Sequence, residues 1–466
     1  MLGNYYSWLI LLAISLAATV PELIRGRVSI AIGNAMAISL LSATWVFVDV
    51  FGVPLEIRIA VAAILLTVFC VHPSGGIRFS WMWLDFVLIL FFVVGSLSDL
   101  LSSQFGALTP VLLYGELLLP YFTGRFISMR RSSLRAVAPY FCISGAVISM
   151  SAFFECLVGQ NLWEFFFAPV DDLVSRIRTP RYGIAHRAAG PTRHPIFLAV
   201  TLLLLIPWSV CLACRADCRF YRFLGLFGVF SCVLGIASTV SRGPLIASGL
   251  SFIVFCTIAK PYLVKWFFLF IACILIVLTS FWTQFTFLVS LTDPADVKNR
   301  IIIVEDKSVV YSGTLNRLWV WKIYWPLVIK GGPLGFGTEA VSSFPPNIPG
   351  LPASAKARET LGIVDNSYLL TGLRFGWIGL SLFLILIFGS IVMAIRLRRS
   401  AGMILYPDGP AFLTALASCL IGVSFVMLTV FSSFDFMFWV YFHCGIVAGL
   451  ASLRDSMLNG DIETSR

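Results

Sequence analysis

Apolar runs long enough to cross a bilayer recur along the whole chain. They fall at about 5–21, 28–50, 57–72, 80–100, 106–123, 136–158, 195–213, 222–240, 243–259, 263–282, 369–395, 411–431 and 435–453. About 20 apolar residues span the hydrocarbon core as a helix, which satisfies every backbone polar group internally. Composition agrees: 59% of the residues are hydrophobic and only 12% are charged. A soluble domain carries about a quarter charged residues, so a soluble enzyme is excluded. A transmembrane β-barrel is excluded as well, because its strands alternate in polarity instead of running continuously apolar. The expected fold is all-α, a polytopic transmembrane helical bundle of about 12–13 spans. The weakest span is 106–123, which Pro110, Glu116 and Pro120 interrupt. Met1 to Asn4 hold no basic residue, so Tyr5–Val20 reads as a first span, not a cleaved signal.

The net charge is +10, and its placement orients the chain. Alternate loops hold Arg25 and Arg27; Arg78; Arg125, Arg130, Arg131 and Arg135; Arg215, Arg219 and Arg222; Lys260 and Lys265; Arg396, Arg398 and Arg399; and Arg454. The positive-inside rule makes that side cytoplasmic, with the C-terminus inside and the N-terminus outside. Two long polar segments, 159–194 and 283–368, then face outward. The expected organisation is 1–158 as N-terminal helices, 159–194 as a first outer loop and 195–282 as central helices. A large outer loop at 283–368 and C-terminal helices with a cytoplasmic tail at 369–466 complete it. Function is expected on the face that carries both loops. The 11 cysteines lie almost entirely inside apolar runs, where Cys behaves as a small hydrophobe, so no disulfide framework is implied. Cys211, Cys214 and Cys218 have no nearby His and suit one helix face better than a metal site.

Several residues stand out against this background. The first outer loop carries Arg176, Arg178, Arg181, Arg187 and Arg193, against the positive-inside trend. Arginine is a permanent cation whose fork matches phosphate oxygens. Solvated pairing with Glu164, Asp171 and Asp172 explains the first three equally well. Arg187 and Arg193 flank a Gly190-Pro191 turn at the mouth of a span and favour function. Asp171-Asp172 as a metal pair is the lesser reading beside a solvated one. Ser241-Arg242-Gly243-Pro244 places a cation at membrane depth in a turn that needs no charge to form. Leu315–Lys330, with Arg317, Trp319, Trp321, Tyr324 and Trp325, reads as an interfacial segment. Gly331–Gly337 lacks the Lys-Ser/Thr of a phosphate loop and reads as a helix stop with a flexible loop. Asp365 precedes the next span. It suits proton acceptance from a sugar hydroxyl, but position alone favours a helix N-cap.

These pieces share one order: an Arg-x-x-Gly turn, an Arg-Gly re-entry turn, a long loop with Arg-x-x-x-Trp, a Gly-rich stretch and an Asn-x-Tyr-Leu re-entry. That order resembles the bacterial O-antigen ligase and polymerase family of membrane glycosyltransferases, over roughly residues 180–395. The resemblance implies a GT-C-like fold in the bacterial inner membrane with a periplasmic active site. It implies an undecaprenyl-pyrophosphate-linked glycan donor, a glycan acceptor, membrane lipid, and a chain-length regulator and export proteins as partners. It implies no nucleic acid, no cofactor and no metal. Carried over by motif, Arg187, Arg242 and Arg317 hold the pyrophosphate. Arg181, Arg193, His194, Asn366 and Tyr368 complete the expected substrate-binding set. The ligases of this family place His-Asn where this chain has Asp365-Asn366, and His72, His186, His194 and His443 lie elsewhere. Asp365 is therefore the expected base, and a polymerase fits better than a lipid A-core ligase. The expected reaction is inverting and draws on the activated pyrophosphate. A lipid-linked oligosaccharide flippase is the alternative, although it predicts repeated halves and a midplane site. A peptidoglycan-type polymerase is a third reading.

Overall fold

The computed structural model describes residues 2–50, 53–71, 79–102, 111, 113–130, 132–167, 186–215, 217–260, 265, 301–304, 307–310, 313–338, 341, 364–400 and 409–458. These form an α-helical bundle with two short hairpins. In chain order the elements begin with α1 (Leu2–Ala17), α2 (Val20–Ile24) and α3 (Val28–Ser39). The hairpin β1 (Phe47–Val50) and β2 (Val53–Glu56) follows, paired antiparallel with Phe47 opposite Glu56. Then come α4 (Ile57–Val71), α5 (Trp83–Leu101), a π-turn at Tyr114–Leu118, α6 (Leu119–Ile127), α7 (Ser133–Val158) and α8 (Leu162–Phe166). The central helices are α9 (Pro195–Ala213), α10 (Arg219–Ser238) and α11 (Arg242–Ala259). After a second hairpin, β3 (Ile301–Val304) with β4 (Lys307–Val310), the chain forms α12 (Gly313–Lys330), α13 (Ser367–Leu397), α14 (Gly409–Val426) and α15 (Phe434–Leu458).

Among the described residues nine helices are long and apolar enough to cross a membrane, so the chain is a polytopic all-α membrane protein. The run at 28–50 is not one span. It divides into the 12-residue α3, a turn and the strand β1. The run at 106–123 contains the π-turn, with Glu116 inside it, followed by the short α6. The run at 263–282 lies outside the described residues apart from Lys265.

Helix α15 forms the axis and is buried throughout its apolar window, while α11 is the least buried of the described candidate spans. Around the axis Phe141 stacks on Trp208 at 4.3 Å, with Trp439 and Phe442 edge-on or tilted against Phe141. Trp208 donates its indole N–H to His443 Nε2 at 3.1 Å, and His443 Nδ1 meets Trp439 O at 2.7 Å. The network assigns the proton to Nδ1 and makes His443 a satisfied core residue. Helix α6 meets α15 along a glycine seam: a Cβ on Gly124 would overlap the Phe442 carbonyl, and one on Gly445 the Tyr121 carbonyl. That close approach brings Arg125 to the Ala448 carbonyl at 2.9 Å, while its Nε lies 2.9 Å from Asp85 Oδ1. Tyr121 Oη and the Met82 N–H complete the Asp85 carboxylate. The cation and anion are both fully buried, so deleting either would strand its partner at about 3–5 kcal/mol.

This end of the bundle is basic. Arg135 lies 2.7 Å from Asp217, and Arg215 donates to the same carboxylate. Those Arg215 hydrogen bonds hold the Asp217 carboxyl down to about 2. The opposite end carries the turns described next.

Candidate functional site

Residues 186–194 form a turn pinned from several sides. The Glu155 carboxylate, buried at the end of α7, accepts from the backbone N–H of Ala189 (3.1 Å) and Gly190 (2.8 Å). Asn161 donates to Gly190 O at 2.8 Å, and Thr44 N donates to Pro191 O at 2.8 Å. Loss of the carboxylate would strand two buried donors at about 1–3 kcal/mol each, so this turn is built to hold one shape. From it Arg187 Nη2 donates to Ser241 Oγ at 3.1 Å, and Ala188 N donates to Ser238 O at 3.1 Å. Two of the motifs singled out in the sequence, Arg187 and Ser241-Arg242, are thereby brought together.

The second turn joins α10 to α11. Val240 stands one residue past the C-cap Thr239 with φ 47°, in the left-handed region where glycine is usual. A β-branched residue there costs about 1–2 kcal/mol. Ser241 Oγ accepts from Arg187 and donates its own hydroxyl to Thr239 O at 3.0 Å. Arg242 opens α11 and is exposed. Beside it, a Cβ on Gly243 would rest 3.5 Å from Thr429 Oγ1, so this turn borders the connection between α14 and α15.

That connection also receives the re-entry into α13. Asn366 Oδ1 accepts from the N–H of Tyr368 and Leu369, both at 3.0 Å, and its Nδ2 donates to Leu428 O at 3.0 Å. Ser367 bonds Met427 O and Val430 O. The N-cap expected at Asp365 is thus Asn366, and Asp365 stands half-buried one residue before it. The Tyr368 hydroxyl is buried and donates to Ser424 O at 2.9 Å. Asn366 and Tyr368, expected among the substrate-binding residues, hold the re-entry in place.

Arg193 and His194 also have protein partners. His194 caps α9, its Nδ1 accepting from Ile196 N at 3.2 Å. Arg193 N donates to Asp435 Oδ2 at 3.0 Å, its Nη2 donates to Thr44 O at 2.9 Å, and Nη2 lies 3.4 Å from Glu56 Oε1. Arg58 lies between the two carboxylates, donating to Glu56 Oε2 at 2.7 Å and to the Asp435 carbonyl at 2.8 Å. Burial pushes the Glu56 carboxyl up, Arg58 opposes this, Asp435 adds to the rise and Arg193 again opposes it. A small cavity beneath the turn is lined by Ser42, Thr44, Glu56, Arg58, Thr201 and Asp435. Sequence reasoning missed this charge cluster and Glu155. Their signal was present as carboxylates within or beside apolar runs, which are costly unless paired.

The Gly-rich stretch is not a free loop. Helix α13 breaks at Gly376 (φ 67°), and the stretch supplies the hydrogen bonds that the break releases. Trp377 N and Ile378 N donate to Gly332 O and Pro333 O, while Phe336 N and Gly337 N donate to Leu373 O and Arg374 O. The Asp99 carboxylate accepts from Thr338 N and from Thr338 Oγ1, tying the stretch to α5. Arg317 lies in the N-terminal half of α12, just before this strap, and its side chain is outside the described residues. Arg176, Arg178, Arg181, Asp171 and Asp172 lie outside them as well. Among the described residues no group of three or more His, Cys, Asp or Glu could hold a metal ion.

The fold and these turns define a multi-pass membrane protein with arginine-bearing turns gathered at one end. Residues 227–384, about a third of the chain, match the family model for O-antigen ligase. The matched segment contains Arg242, Arg317, Asp365, Asn366 and Tyr368 and ends before the kinked helix does. No curated protein matches the chain. This match supports ligase or polymerase work in surface-polysaccharide synthesis, on lipid-linked glycans in the membrane.

Proposed function

We propose that the protein is an inverting glycosyltransferase that polymerises undecaprenyl-pyrophosphate-linked repeat units at the periplasmic face of the bacterial inner membrane. One observation carries this reading. Arg187 is hydrogen-bonded to the turn that bears Arg242, and that turn and the Asp365-Asn366 re-entry border the same α14–α15 connection. The donor enters laterally from the membrane. Arg187, Arg242 and Arg317 hold its pyrophosphate and balance the charge that grows there as the glycosidic C–O bond breaks. Arg181 and Arg193 add to the cationic surface that meets the donor. Asp365 takes the proton of the acceptor hydroxyl, whose oxygen attacks the anomeric carbon opposite the leaving pyrophosphate. Capping by Asn366 supports this role, because the cap does not require the Asp365 carboxylate. His194, Asn366 and Tyr368 act by fixing the turns.

The test is made in cells that depend on this protein for polymer. Arg242→Ala and Asp365→Ala are each expected to abolish polymer while the protein still accumulates in the membrane. Normal polymer lengths in both variants would remove the assignment.

A further inference from the structure

The lipid-facing surface of α7 does not end where the helix ends. Tyr140, Ile143, Val147, Met150, Phe154 and Leu157 are all exposed and recur at three- and four-residue steps. They form one apolar stripe along a helix long enough to span the membrane. At Gly159 (φ 76°) the chain turns, and three residues later α8 begins. Leu162, Phe165 and Phe166 of α8 repeat the same spacing, and the two phenylalanines are 84% and 68% exposed. A soluble surface has no reason to present two adjacent exposed phenylalanines, whose rings lie edge to face at 5.3 Å. The opposite side of α8 is fastened to the bundle. Trp163 is buried and donates its indole N–H to Leu41 O at 2.8 Å, and Asn161 caps the helix by accepting from Trp163 N at 2.9 Å.

We infer that α8 is a membrane foot. Its Leu162-Phe165-Phe166 face inserts among phospholipid acyl chains at the boundary with the head groups, continuing the stripe of α7 around the corner. Aromatic and aliphatic side chains on a short interfacial helix favour that depth. Continuity argues for the same occupant: α8 repeats the spacing of the α7 stripe at the end of a helix long enough to span the membrane. The foot is joined directly to the arginine turn. Asn161 donates to Gly190 O, and Glu155, one turn back on α7, holds the N–H groups of Ala189 and Gly190. Lipid contact at α8 therefore sets the height of Arg187 relative to the bilayer. This last consequence rests on the functional reading above, whereas the lipid contact itself does not.

The experiment places the photoreactive residue p-benzoylphenylalanine at position 165 or 166 of the full chain in nanodiscs of phosphatidylethanolamine and phosphatidylglycerol. Position 157 on the α7 stripe and buried position 163 serve as references. After irradiation, mass spectrometry is expected to find the mass gain of one phospholipid at 165, 166 and 157, and none at 163. Crosslinks from 165 and 166 to residues of the same chain or to a second copy would overturn the inference. So would the absence of a lipid adduct there while 157 is labelled. Neither result would bear on Arg242 or Asp365, so the functional reading stands or falls separately.

Discussion

Asp365 and Asn366 divide a task that the sequence assigns to one residue. An Asp before an apolar run reads as a cap, but the adjacent Asn has the side-chain geometry to accept two N–H groups and still donate to Leu428 O. Asn366→Ala should cost about 1 kcal/mol for the cap, with more for the stranded Leu428 carbonyl. The measurement is the thermal midpoint in detergent, and an unchanged midpoint would contradict the capping role. Arg187 and Arg242 were legible in the sequence because they oppose the charge trend of their surroundings. Glu155 and Asp435 were not, because each accepts from backbone N–H far away in sequence: Glu155 from residues 34 and 35 positions on, Asp435 Oδ2 from Arg193 at a separation of 242. A sequence marks such a carboxylate as costly but does not reveal which donor compensates it.

At the scale of elements, hydrophobic runs located the long helices well and their interruptions poorly. The 28–50 run is continuous enough to suggest one span, yet the chain needs a hairpin there to deliver Glu56 and Arg58 to Asp435. Gly331–Gly337 carried no distinctive pattern, because its role is to satisfy backbone groups that Gly376 releases in another element. Gly376→Ala tests this pairing. A side chain at that φ costs about 1–2 kcal/mol, and its Cβ would overlap Pro333. The expected outcome is release of the strap, read as faster proteolysis within residues 331–338. Wild-type cleavage rates would show that the strap does not depend on the kink.

Across the whole molecule, the described arginines named above fall into two groups at opposite ends of α7 and α9. One end gathers Arg135 and Arg215 around Asp217 and seals Arg125 against Asp85. The other holds Arg187, Arg193 and Arg242, with Glu56, Arg58 and Asp435 buried beneath. Glu56 gives this end a pH signature. Burial lifts its carboxyl above the ordinary glutamate range despite Arg58 and Arg193, and Asp435 adds to the rise. The folded chain thus holds the proton more tightly than the unfolded chain. The resulting stability is present below the ordinary range and is lost as pH rises through the folded value. Glu56→Gln should flatten that part of the midpoint-against-pH curve, and a slope equal to wild type would contradict it. The most direct measurement of the central claim is to incubate purified protein in detergent with a lipid-linked repeat unit and resolve the glycans by length. Longer glycans from the wild type and none from Arg242→Ala are predicted. Unchanged glycans from the wild type, with movement of the lipid across liposome membranes, would contradict the claim and identify a flippase.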